Sequence, residues 1–191
     1  MICLSLHLLI LYPFSMQIQV KDKQFALFIK AEEIDMAISK VAENINHDYK
    51  GKIPLFLGIL NGSFMFASDL LKKITVDCEI SFVKIASYAG TQSTGKINNL
   101  IGLNEDIKGR HIIILEDIVD TGHTLASLLK YLESFKPASV KIATCLFKPA
   151  AFTKEYTVDY VGKNIPNDFI VGYGLDYDGF GRNLPDIYKI V

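Results

Sequence analysis

Cysteine is scarce in this sequence, histidine is sparse, and neither sign of charge prevails. Cys3, Cys78 and Cys145 stand far apart, with no C-x-x-C pair and no histidines at ligand spacing. That argues against a disulfide scaffold and against structural zinc, and makes a reducing, cytoplasmic setting the simpler inference. Twenty Lys and Arg against 21 Asp and Glu leave a net charge of −1. The clustered positive charge of a protein that coats nucleic acid is missing, so no nucleic-acid partner is expected. No apolar run reaches the roughly 20 residues that span a bilayer, so no membrane partner is expected either. Repeats, linkers and low-complexity tracts are absent too. What remains is a chain of 191 residues, half of them apolar, enough for one soluble domain with a large core.

The first fifteen residues, M-I-C-L-S-L-H-L-L-I-L-Y-P-F-S, resemble the apolar region of a signal peptide but have no Lys or Arg ahead of it and no A-x-A cleavage site. Met16 then opens an ordinary polar stretch, Q-I-Q-V-K-D-K. Residues 1–15 are therefore expected to be a non-native or disordered extension, and residues 16–191 the domain.

The chain is organised around His111 to Leu125, H-I-I-I-L-E-D-I-V-D-T-G-H-T-L. Ile112 to Leu115 form an unbroken apolar run, the pattern of a central parallel strand buried on both faces. Glu116, Asp117 and Asp120 follow where the strand should end, and Thr121, Gly122, His123 and Thr124 lead into a helical pattern from Leu125. A strand, a glycine turn and a helix start gather backbone N–H groups and the helix dipole on one point, which makes an anion site. Carboxylates beside a phosphate-sized pocket make sense when hydroxyls or a cation lie between them, as in a sugar phosphate with Mg²⁺. Taken alone, the stretch would also fit a buried strand followed by acidic helix caps.

Around this centre the pattern alternates between strand and helix. Apolar residues at Ile34, Ile38, Val41, Ala42 and Ile45 predict a helix over 31–50, stopped by Gly51. Pro54 to Leu60 reads as a buried strand, followed by Asn61, Gly62 and Ser63 and a helical run to Lys73. Residues 77–88 alternate as a strand, and the polar stretch A-G-T-Q-S-T-G-K-I-N-N after it suits a mobile lid hinged at Ser87 and Tyr88. Within it, Gly90 to Ile97 imitates a nucleotide-binding phosphate loop. Ile97, however, stands where a hydroxyl for Mg²⁺ is needed, and poor helix formers follow.

A helix over 124–135 and a strand over 139–147 come next, with Lys148 at the strand's carboxyl end, on the rim where open α/β sheets bind ligands. Phe169 to Leu175 reads as a strand running into Asp176 and a glycine and aromatic loop that ends at Arg182. The final I-Y-K-I-V would close the sheet edge. The expected fold is α/β, a mostly parallel twisted sheet flanked by helices, with a small hood.

Four separated segments agree in order with one family: L-N-G-S, S-Y with its loop, I-L-E-D-I-V-D-T-G, and F-I-V-G-Y-G-L-D ending in G-R. From about residue 17 onward the chain resembles a hypoxanthine or hypoxanthine-guanine phosphoribosyltransferase of the type I fold. The resemblance implies purine salvage with phosphoribosyl diphosphate and a 6-oxo purine as partners, Mg²⁺ as cofactor, and a homodimer or homotetramer. Carried over by position, Glu116 and Asp117 would hold the ribose hydroxyls and, with Asp176, the metal. Asp120 would be the general base at the purine N7. Thr121, Gly122, His123 and Thr124 would bind the 5′-phosphate, and Asn61 and Gly62 the diphosphate, in a loop where the family carries a cis peptide. Lys148 would donate to the 6-oxo group, Phe169 would stack on the base, and Ile170 would read its edge through the backbone. Arg182 would grip the diphosphate, and Ser87 and Tyr88 would close over the site.

Two positions depart from the common pattern. Asn61 and His123 stand where many relatives have Lys, which leaves fewer fixed positive charges at the phosphate ends. A xanthine-preferring enzyme and a phosphoribosyl-diphosphate-sensing regulator that binds nucleic acid are the competing readings. The intact set Asp120, Lys148, Asp176 and Arg182 and the absence of a basic balance weigh against the regulator.

Overall fold

The computed structural model describes residues 17–85, 100–101 and 103–191. The proposed extension, the lid with Ser87 and Tyr88, and the phosphate-loop look-alike at 90–97 lie outside the described residues.

Two sheets organise the chain. The larger has the order β5-β4-β3-β6-β7-β8. In it β3 (Leu55–Leu60), β4 (Glu79–Ile85), β6 (His111–Val119), β7 (Ser139–Phe147) and β8 (Tyr160–Asn164) run parallel, and β5 (Leu100–Ile101) is antiparallel at the edge. The run Ile112 to Leu115 shows why β6 is central. Its side chains alternate between two cores: Ile113 and Leu115 pack on one side with α1 (Ala31–Asp48) and α2 (Phe64–Leu71). Ile112 and Ile114 pack on the other with α3 (His123–Glu133). All four are fully buried, and at about 1.5–3 kcal/mol per buried large aliphatic side chain this strand anchors the domain.

The smaller sheet is the hood, with the order β1-β2-β10-β9. It joins β1 (Gln17–Val20), β2 (Lys23–Ile29), β9 (Ile170–Val171) and β10 (Ile187–Ile190) in antiparallel pairs around Phe25, Val171 and Tyr188. Hood and main body are tied where the Ala31 N–H, at the start of α1, donates to Asp186 Oδ1 at 2.7 Å.

Three expectations are corrected. The C-terminal segment does not close the main sheet; it pairs with β2 and β9 in the hood. Residues 17–23, read as an ordinary polar stretch, open the β1–β2 hairpin over 17–29, whose alternation of Gln and apolar residues is satisfied only when β10 arrives from the far end of the chain. The strand expected over 169–175 is cut to Ile170–Val171, because Gly172, Tyr173 and Gly174 all take positive φ (104°, 50° and 94°). A Cβ at Gly172 would run into the Asp186 carbonyl, so the turn requires glycine. Among the described residues no helix is long and apolar enough to cross a membrane.

Candidate active site

Parallel pairing brings the carboxyl ends of β3, β6 and β7 to one rim. Register sets Val119 opposite Phe147, so Asp120 and Lys148 emerge side by side. The Lys148 N–H donates to the Val119 carbonyl at 2.9 Å, and Lys148 Nζ donates to Asp120 Oδ2 at 2.9 Å. The lysine side chain is only 11% accessible and the aspartate 49%. The structure thus holds a buried ammonium pointing at an open carboxylate.

The turn after Asp120 exposes Thr121, His123 and Thr124 and buries Gly122. Gly122 is the N-cap of α3 at φ 78° and no side chain caps the helix. The first-turn N–H groups therefore have no side-chain partner at an end that carries the positive pole of the helix dipole. His123 Nδ1 lies 2.8 Å from Thr121 Oγ1. The helix begins at His123 rather than at Leu125, so His123 and Thr124 belong to its first turn.

Glu116 and Asp117 lie within β6 rather than beyond it. Glu116 Oε2 is shielded from solvent and has no hydrogen-bond partner among the described residues. Burial, and then the neighbouring Asp117 charge, push the Glu116 carboxyl well above the usual carboxylate range. Asp117 Oδ1 accepts the Ile118 N–H at 2.8 Å, yet burial still pushes its carboxyl up to about 6.

The folded state of the ligand-free protein therefore binds the Asp117 proton more tightly than the unfolded chain does. The cost of ionising it is absent below pH 4 and complete above pH 7, so stability is lost as pH rises through that window. Replacing Asp117 by Asn should stabilise the ligand-free protein by up to about 3 kcal/mol at pH 8, and the gain should vanish by pH 4. Urea unfolding of both proteins at the two pH values checks this. An equal difference at both would show that the carboxyl is not strained.

The loop after β3 approaches these acids closely. The Leu60–Asn61 peptide is cis, and a Cβ at Gly62 would overlap the Asp117 carboxylate. A Cβ at Gly174 would likewise overlap the Gly62 carbonyl, so the loops after β3 and β9 meet backbone to backbone. The Tyr173 hydroxyl donates to Asp69 Oδ2 of α2 at 2.7 Å and reinforces the junction. From the loop after β9, Arg182 pairs with Asp176 at 2.5 Å and donates to the Gly174 carbonyl at 2.7 Å. Its charge also acts on Asp117.

Phe169 is 46% exposed and stands edge-on to Tyr177 with ring centroids 5.9 Å apart. Ile170 beside it is buried, its backbone in β9 opposite Lys189.

Among the described residues no three Asp, Glu, His or Cys side chains gather into a group that could hold a metal ion by themselves. Asp176 is engaged by Arg182 and by the Gly179 N–H. Two contacts went unforeseen in the sequence: the Tyr173–Asp69 bond, and Tyr156, whose hydroxyl donates to the Gly122 carbonyl at 2.7 Å. Neither has a local signature, since each joins elements far apart in the chain.

With this geometry in view, similarity to known proteins is specific. The model of the phosphoribosyl transferase domain family matches residues 29–178. The hypoxanthine-guanine phosphoribosyltransferase of Streptococcus pneumoniae is 44% identical over 162 residues, covering 84% of this chain and 90% of that protein. A crystal structure of the hypoxanthine phosphoribosyltransferase of Staphylococcus aureus matches with a TM-score of 0.79 at 40% identity, covering 86% of this chain and 90% of that one. The corresponding enzyme of Trypanosoma cruzi matches with a TM-score of 0.77 at 35% identity, covering 86% of this chain and 95% of that one. The chain belongs to the hypoxanthine-guanine phosphoribosyltransferase family.

Proposed function

We propose that the protein transfers ribose 5-phosphate from phosphoribosyl diphosphate to the N9 of hypoxanthine, and also of guanine, releasing diphosphate. The observation that carries this reading is the Lys148–Asp120 pair on the rim beside the uncapped start of α3. In this reading Lys148 is the 6-oxo donor and Asp120 the N7 acceptor, next to the phosphate-binding turn.

In this reading Thr121, Gly122, His123 and Thr124 bind the 5′-phosphate. Asn61 and Gly62 bind the diphosphate with Arg182, which exchanges its bond to Asp176 for a phosphate oxygen. Glu116 and Asp117 accept the ribose hydroxyls, and the unpartnered Glu116 Oε2 gains a donor when they do. Asp120 takes or shares the N7 proton as the new glycosidic bond forms and the bond to diphosphate breaks. Phe169 stacks on the base, Ile170 reads its edge, and Ser87 and Tyr88 close over the reacting centre to exclude water.

Mg²⁺ fits the donor set in the manner usual for this ion, through one or two carboxylates completed by substrate oxygens and water. Asp176 and the Glu116–Asp117 pair would hold it, and it would neutralise charge on the departing diphosphate. The protein acts in the cytoplasm as a homodimer or homotetramer.

Diphosphate release tests the reading. Release should require phosphoribosyl diphosphate, Mg²⁺ and hypoxanthine together, and chelation of Mg²⁺ should abolish it. Release that proceeds at the same rate without the base would mean hydrolysis rather than transfer.

A further inference from the structure

The segment that follows Lys148 folds back beneath the turn 120–124. The Ala151 and Phe152 N–H groups both donate to the Lys148 carbonyl, at 3.1 and 3.2 Å. Phe147, Phe152 and Tyr156 then stand edge to face in succession, with ring centroids 5.2 Å apart at both steps. This aromatic ladder ends under Gly122. A Cβ there would lie 2.5 Å from the Tyr156 hydroxyl and 2.6 Å from Phe152 Cε2, so the glycine rests directly on the ladder.

The Gly122 carbonyl accepts two bonds, one from the Ala126 N–H at 3.0 Å and one from the Tyr156 hydroxyl at 2.7 Å. A peptide unit is planar and trans, so its C=O and N–H point in opposite directions. Pinning the Gly122 carbonyl down onto Tyr156 therefore turns the His123 N–H up, toward the exposed side of the turn. Beside the helical bond from Ala126, the Tyr156 hydroxyl adds the side-chain donor that fixes this orientation, at a residue whose φ is 78° and where glycine moves between conformations at low cost. Were the unit to rotate, a carbonyl oxygen would replace an N–H donor where a phosphate is to bind.

From this geometry we infer that Tyr156 is a positioning residue for the 5′-phosphate, acting through the Gly122–His123 peptide. The inference rests on the phosphate-site reading of this turn. Burial, and then the Glu116 charge, push the Tyr156 hydroxyl up to about 12, so it remains a neutral donor across the physiological range. The Tyr156 ring packs edge-on against Phe152 and elsewhere lines an open groove with Leu129, Pro137 and Ser139.

The test compares inosine 5′-monophosphate with inosine, which lacks only the phosphate, by calorimetric titration of the full chain and of Tyr156→Phe. One neutral hydrogen bond is worth about 0.5–1.5 kcal/mol. The variant should accordingly bind the monophosphate roughly threefold to tenfold more weakly and bind inosine unchanged. In turnover the loss should fall on the KM for phosphoribosyl diphosphate and not on the KM for the base. Tyr156→Leu, which also removes the ring, should show a larger loss with the same selectivity. Equal weakening toward inosine and its monophosphate, or undiminished monophosphate binding, overturns the role of Tyr156. If the unaltered protein itself binds the monophosphate no better than inosine, the phosphate-site reading of the turn is wrong and the role of Tyr156 falls with it.

Discussion

Asp120→Asn is expected to lower nucleotide formation by roughly 10²- to 10³-fold, the range for removing a general base, while leaving the affinity for phosphoribosyl diphosphate within a few fold. The asymmetry follows from what the substitution keeps. Asn has the shape of Asp and can still accept the Lys148 ammonium, now 2.9 Å from Asp120 Oδ2, so the rim should hold its form. It cannot take a proton. The side chain of Asp120 is half open, which suits a group that must meet a base arriving from solvent. Equilibrium binding set beside single-turnover rates separates the two effects, and equal losses in both would reassign Asp120 to binding.

Lys148→Met is expected to shrink the preference for hypoxanthine over adenine by at least about 100-fold, because a site built around a donor rejects a ligand that leaves it unpaired far more strongly than an apolar site does. Among the described residues Lys148 is one of few buried charged side chains, and its partner lies on the same rim. A 6-oxo group can accept from it, whereas a 6-amino group presents hydrogens to an ammonium. Loss of the lysine leaves Asp120 able to be hydrated, so the fold should survive. The ratio of kcat/KM for the two bases is the readout. An unchanged ratio, with both values reduced together, would mean that Lys148 serves only to hold Asp120.

How far the sequence was legible depended on whether a signal was local. Ile112 to Leu115 announced a strand buried on both faces, and both cores meet on it. The acids and the turn after them were legible because so many chemically distinctive residues stand within nine positions. The hood hairpin at residues 17–29 was not, since its pairing with β10 lies almost the whole chain away. Phe169 to Leu175 looked like a strand because side-chain pattern says little about φ, and three successive positive values bend it there. Spacing likewise cannot reveal that Arg182 engages Asp176. Tyr156 was invisible for the same cause, as its contact with Gly122 comes from a fold-back.

Transfer of a phosphoribosyl group to 6-oxo purines at this rim is measured by absorbance-monitored nucleotide formation from phosphoribosyl diphosphate and Mg²⁺, with hypoxanthine, guanine, xanthine and adenine supplied separately. Turnover is expected with hypoxanthine and guanine and none with adenine. Tight binding of phosphoribosyl diphosphate with no turnover on any of the four bases would contradict this expectation.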